Sequence, residues 1–191
     1  MTNAMQEVWA RFENWLQAHA PQLLENLSLG ASETALEKLA QTLDAALPDD
    51  FLAFYRIHNG QQSQSGGLIN AEELLSVPRM LEEWTVWNDL LAGGDFEGAS
   101  STPARGIRAD WWNPRWLPLT YDGAGNHCCL DLAPADGGTY GQVIRMWHDD
   151  AERTLLASSF TEWITDYVQA LEAGQYVFSE DYDGILSVDD L

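Results

Sequence analysis

Apolar residues recur along the first part of this chain with the spacing of helices. Met5, Val8, Trp9, Phe12, Trp15, Leu16 and His19 follow i, i+3, i+4, i+7 and predict a first amphipathic helix. Ser32 is the expected N-cap of a second helix whose stripe is Leu36, Leu39, Ala40 and Leu43, with Thr34 and Glu37 spaced for a capping box. Pro48-Asp49-Asp50 opens a third, carrying Phe51, Phe54, Tyr55 and His58, and Asn59-Gly60 is expected to close it in left-handed conformations. Gln61 to Gly67 reads as a polar loop and Leu68-Ile69 as a short strand. From Ala71 to Ala92 the pattern is helical again, interrupted by Pro78.

After a loop rich in Gly, Ser and Pro (Gly93 to Gly106), the period changes. Trp116–Thr120, His127–Leu132, Val143–Trp147 and Leu155–Ser158 read as strands of an antiparallel meander. Ser159 and Glu162 form a capping box for a last helix with the stripe Phe160, Trp163, Ile164, Tyr167, Val168 and Leu171. The order predicts an α+β fold: a central, mostly antiparallel sheet flanked by N-terminal helices and a C-terminal helix. The reading is one domain over residues 1–191, with an N-terminal helical extension and a short acidic tail from Ser179 whose Tyr182, Ile185 and Leu186 suggest docking on the body.

Charge sharpens the picture. The 191 residues hold 30 acids against 9 bases, with Lys38 the sole lysine, a balance that repels nucleic acid and anionic lipid and attracts basic surfaces. No apolar stretch is long enough to span a membrane and no secretory leader is visible, so the expected location is cytoplasmic. Cys128 and Cys129 are adjacent, which suits a reducing compartment better than a disulfide framework.

Candidate chemistry is thin. Tyr121 to Asn126 is glycine-bearing but is neither a P-loop nor a dinucleotide fingerprint. His127, Cys128, Cys129 and Asp131 are zinc-ligand types at poor spacing, because strand alternation sends Cys128 to the opposite face from the other three. No metal or cofactor is expected. His148-Asp149-Asp150 lacks a paired base or nucleophile. Arg105, Arg108 and Arg115 around Trp111 and Trp112 fit an internal Arg–acid patch or cation–π stacking better than nucleic-acid binding.

Two segments in order, Leu47-Pro48-Asp49-Asp50-Phe51 through His58-Asn59-Gly60, and Trp116-Leu117-Pro118-Leu119 through Asp122-Gly123-Ala124-Gly125-Asn126 to Asp131, followed by Gly138 to Val143, resemble the Smi/Knr family of the SUKH superfamily. The resemblance runs from about Ser32 to Leu171. It implies an α+β fold and a non-enzymatic role: toxin-neutralising immunity proteins among bacterial members, often against nucleases, and signalling or cell-wall scaffolds among fungal ones. The motif positions Pro48, Asn59, Gly60, Trp116, Pro118, Asp122, Gly123, Asn126 and Asp131 read as scaffold, since turn and core chemistry accounts for each. The leading expectation is a binding protein that neutralises a toxin with a basic face. A regulatory scaffold is the alternative, and a metal-dependent hydrolase using His127 and His148 the third reading. Glu82, Glu83, Trp87, Asp149 and Asp150 are the candidate partner-binding residues, combining charge with a possible exposed ring.

Overall fold

The structure, a computed structural model, describes residues 2–62 and 66–191, with side chains from residue 4 onward. Residues 63–65 of the expected polar loop lie outside the described residues. The predicted stripe forms α1 (Thr2–His19), and Met5, Val8, Trp9, Phe12, Trp15 and Leu16 are all buried, leaving His19 exposed at the end. A short α2 (Pro21–Glu25) follows. In α3 (Glu33–Leu43), Ser32 caps alone, its hydroxyl accepting from the Ala35 amide at 3.2 Å; Thr34 and Glu37 form no box.

The third predicted helix is α4 (Asp49–Tyr55). Asp50 does more than sit at its positive end. One carboxylate oxygen accepts from the Phe51 amide, and the other accepts from both the amide and hydroxyl of Thr161 at 2.9 Å, tying α4 to the start of the last helix. The exit differs from expectation. The helix stops at Arg56 in ordinary right-handed geometry, and only Gly60 takes a positive φ, of 64°. A Cβ there would lie 2.5 Å from the Leu75 carbonyl oxygen, which is why glycine is needed. Asn59 instead accepts from the Val77 amide with its side-chain oxygen, serving the next helix.

The helix expected from Ala71 is a strand and a shorter helix. Glu73–Leu74 is β1, and α5 (Val77–Gly93) begins with Pro78 in its first turn, where a missing N–H costs nothing. Leu68-Ile69 forms no strand; Ile69 makes only an isolated bridge to Glu72. The Gly-rich loop contains β2 (Thr102–Pro103). Then come β3 (Trp116–Pro118), β4 (Thr120–Tyr121), β5 (His127–Asp131), β6 (Gln142–Met146) and β7 (Glu152–Ala157). The helix α6 (Phe160–Glu172) has half of the predicted box: the Ser159 hydroxyl accepts from the Glu162 amide, but the Glu162 carboxylate accepts from the amide and hydroxyl of Ser158, one residue before the cap. The acidic tail folds as a hairpin, β8 (Tyr176–Ser179) and β9 (Gly184–Ser187), with Ile185 buried.

The main sheet has the order β2-β7-β6-β5-β3. Its last three strands and β7 pair antiparallel, as the meander predicted, and β2 adds in parallel to β7, so the sheet is mixed. The strand predicted over Trp116–Thr120 is split at Leu119, because β4 leaves to pair with β1. Pro118 is tolerated because β3 is an edge. Both faces of the sheet are covered. Leu117, Cys128, Leu130 and Val143 join the core made with α1, α4 and α6. Trp116, Cys129, Ile144 and Met146 face a second cluster with Trp87, Ile107 and Trp112.

The helix α1 is built into the first core. Trp9 stacks on Phe54 at 4.4 Å and its indole donates to the Phe54 carbonyl, and the Trp15 indole donates to the Leu171 carbonyl, so both rings bury area with their N–H satisfied. Trp9→Ala is expected to cost as much as Trp116→Ala, about 3–5 kcal/mol each. Urea denaturation checks this, and a near-native midpoint for Trp9→Ala would place α1 outside the cooperative unit.

Candidate functional site

An open groove of about 600 Å³ lies between α6 and the adjoining face of the sheet. Alternation along the strands sends Cys128, Arg145, Trp147, Thr154 and Leu156 to its floor. Trp163, Asp166 and Tyr167 of α6 line it from the helix side, and Glu72 and Tyr176 also line it. Glu72 precedes β1; it accepts from the Thr120 hydroxyl at 2.5 Å and pairs with the Arg145 guanidinium. Arg145 also lies 4.1 Å over the Trp147 ring. Burial lifts the Glu72 carboxyl above the ordinary carboxylate range, and Arg145 and Thr120 pull it back only in part. Burial pushes the Cys128 thiol up to about 11, so it stands as a neutral thiol and not as a nucleophile. The groove therefore offers rings, a neutralised ion pair and an exposed carboxylate at Asp166: recognition chemistry without a nucleophile–base couple.

The sequence-derived candidates fall elsewhere. Glu82 and Glu83 lie on α5 and both accept from Arg79, at 2.7 and 2.8 Å. Trp87, two turns along from Arg79, is not an exposed ring. It is 6% exposed, stacked between Phe96 and Trp112, and its indole donates to His127. Helical spacing put it on the α5 stripe but did not say that a second core would cover that stripe. Asp149 and Asp150 sit in the β6–β7 turn, exposed, with Asp150 accepting from the Glu152 amide. No hydrogen bond or ion pair among the described residues joins the α5 group to the turn group.

The motif residues of the second segment lie in turns, strand ends and packed positions. Asp122 accepts from the amides of Ala124 and Asn126 and from the Asn126 side chain, and these bonds hold its carboxyl below the usual range despite burial. Gly123 supplies a φ of 87°. Asn126 carries the turn to β6 by accepting from the His148 amide. Asp131 accepts from the Ala133 amide and the Gln142 side chain, closing the β5 end. Pro48 holds the start of α4 in extended geometry, and Trp116 is fully buried.

The hydrolase reading finds little to build on. His127 is fully buried between Thr120 and Trp87, and His148 is bonded to Asn126. Among the described residues no three His, Cys, Asp or Glu side chains converge as a metal site. The arginine patch resolves as ion pairing and packing: Arg115 pairs with Asp44, Arg108 donates to the Ala133 carbonyl, and the ring of Trp111 is met by Arg153 instead. The groove residues Glu72 and Arg145 were missed. A signal existed, since Arg145 interrupts the apolar run Val143-Ile144-Met146-Trp147, and a charge inside a buried strand needs a partner.

A profile of the SMI1 / KNR4 family (SUKH-1) matches residues 30–166. The chain belongs to that family. Relatives of this SMI1 / KNR4 chain include the cell wall biosynthesis/cell cycle regulator smi1 of Schizosaccharomyces pombe, 28% identical over 189 residues, covering 92% of this chain and 38% of the relative. The cell wall assembly regulator SMI1 of Saccharomyces cerevisiae is 24% identical, covering 95% and 43%. F-box only protein 3 of Bos taurus is 26% identical, covering 93% and 37%. This SMI1 / KNR4 chain thus spans less than half the length of these three relatives, and the likeness reaches past residues 30–166 to take in most of the chain. No helix among the described residues is long and apolar enough to cross a membrane.

The buried His127 yields a pH prediction. Its Nδ1 faces the Thr120 carbonyl at 2.7 Å and its Nε2 faces the Trp87 N–H at 3.1 Å, which fixes the neutral ring protonated on Nδ1. Burial pushes its pKa down to about 4, against an ordinary value of about 6.5. The unfolded chain therefore takes up this proton first. Stability from this group is complete above about pH 6.5 and is lost, by about 3 kcal/mol, as pH falls to about 4. In His127→Asn that step is absent, so the stability gap between wild type and variant should narrow by that amount over the same window in urea melts at fixed pH. A gap independent of pH would show that His127 titrates normally.

Proposed function

We propose that this chain is a non-enzymatic protein-binding domain with a regulatory or scaffold role, acting in the cytoplasm. The observation that carries the reading is its membership of a family whose matched relatives bear the names of cell wall assembly and glucan synthesis regulators. The alternative expected from sequence therefore has better support than toxin neutralisation, which rests on the wider superfamily resemblance alone. The similarity of this chain to a part of F-box only protein 3 fits an interaction module carried by longer proteins.

The charge supports a basic partner. Five of the arginines pair with carboxylates of this chain, and Arg153 is buried, so the surplus of 30 acids over 9 bases dominates the surface. Such a field accelerates encounter with a positive face, whereas buried contacts govern release. A partner captured from the native cell should associate more slowly as salt rises from about 0.05 to 0.5 M, which shortens the screening length from about 14 to 4 Å, with less change in dissociation. Surface plasmon resonance checks it. A salt-independent association rate would remove the electrostatic part of the reading, and turnover of a substrate by the purified chain would overturn the non-enzymatic part.

A further inference from the structure

The strand β7 has an open edge. On one side it pairs with β6 along its length. On the other, β2 covers only Glu152 and Arg153, and the chain turns away after Ala104 donates to the Arg153 carbonyl at 2.8 Å. Among the described residues nothing pairs with Thr154–Ala157 on that side. Open edges are normally protected by lysine, proline or an inward charge. This one reads Thr154-Leu155-Leu156-Ala157, with Leu155 44% and Leu156 43% exposed. Its one protective device is a register shift opposite Leu156. The edge is continuous with the groove, since Thr154 and Leu156 line both.

Arg145, opposite Thr154 on β6, is neutralised by Glu72, and the other charges named around the edge are acidic. Glu152 stands at the start of the strand, next to Asp149 and Asp150; Glu162 bonds Ser158 just past its end, and Asp166 follows on the groove wall. The one base in the strand, Arg153, is buried and spends its guanidinium on the carbonyls of Asp150, Glu152 and Trp111.

Building on the protein-binding reading, we infer that the edge of β7 at Thr154–Ala157 captures an extended segment of a partner protein by strand addition. That segment carries alternating aliphatic residues flanked by lysine or arginine. Backbone bonds to the free edge supply affinity, and every second side chain covers Leu156 and enters the groove. At about 3.4 Å per residue the acidic ends of the strand lie about 17 Å apart, which sets the basic residues about five positions from each other.

The probe is a displayed library of random peptides, selected against the whole chain and followed by amide hydrogen exchange. The expected winners alternate aliphatic residues between basic ends and slow exchange at Thr154–Ala157. Their binding should weaken about ten-fold or more with Leu156→Lys, a substitution at an exposed site that leaves the melting curve in place. N-methylation of alternate peptide amides should abolish it. The inference is overturned if the winners protect another surface, if Leu156→Lys leaves binding unchanged, if no peptide is enriched, or if the edge is already covered by a second copy of the chain in sedimentation. Should a native partner bind elsewhere, the edge assignment falls while the protein-binding reading stands.

Discussion

The constraint on which this structure turns is that its central strands are covered on both faces. In β5 every residue is buried, and in β6 only Arg145 is not fully so. Strand alternation delivers half of these side chains to the core beneath α1, α4 and α6 and half to the tryptophan cluster beneath α5. Polar side chains in such strands lose water on either face, and each must find its bonds inside the protein. Asp131 meets Gln142, His127 lies between Thr120 and Trp87, and Arg145 meets Glu72. Arg153 takes the carbonyls of three residues. These pairings stitch segments far apart in the chain, and the last of the side-chain pairs places the Arg145 guanidinium and the Glu72 carboxylate in the lining of the groove.

The same constraint shapes the surface. With nine bases available, using most of the arginines for internal ion pairs and packing leaves the carboxylates largely uncompensated. Asp122 and Asp50 are exceptions that show the other use of acid here: one organises the β4–β5 turn, the other joins two helix starts. A domain that spends most of its few arginines on internal bonds presents acid outward.

Some elements were legible because a local rule decides them. The apolar stripe of α1, the Ser159 cap of α6 and the Asp122–Asn126 turn each follow from short-range spacing and side-chain type, and these formed as read. The site was less legible. Trp87 and Glu83 belong to one helix, yet one is sealed under a second aromatic core and the other held by Arg79. The helix expected from Ala71 gave way to β1 because Glu73 and Leu74 pair with Tyr121 and Thr120, almost fifty residues on.

Composition and periodicity determined the α+β order, the starts of α3, α4 and α6 and the acidic character, since these follow from side-chain type and short-range spacing. Tertiary structure alone decided that β2 adds in parallel, that α1 is integral to the core, which tryptophans are covered, and that Glu72 and Arg145 meet across a groove with an open strand edge beside it. Each of these depends on which distant segment removes water from a given face, and that is a property of packing and not of local spacing.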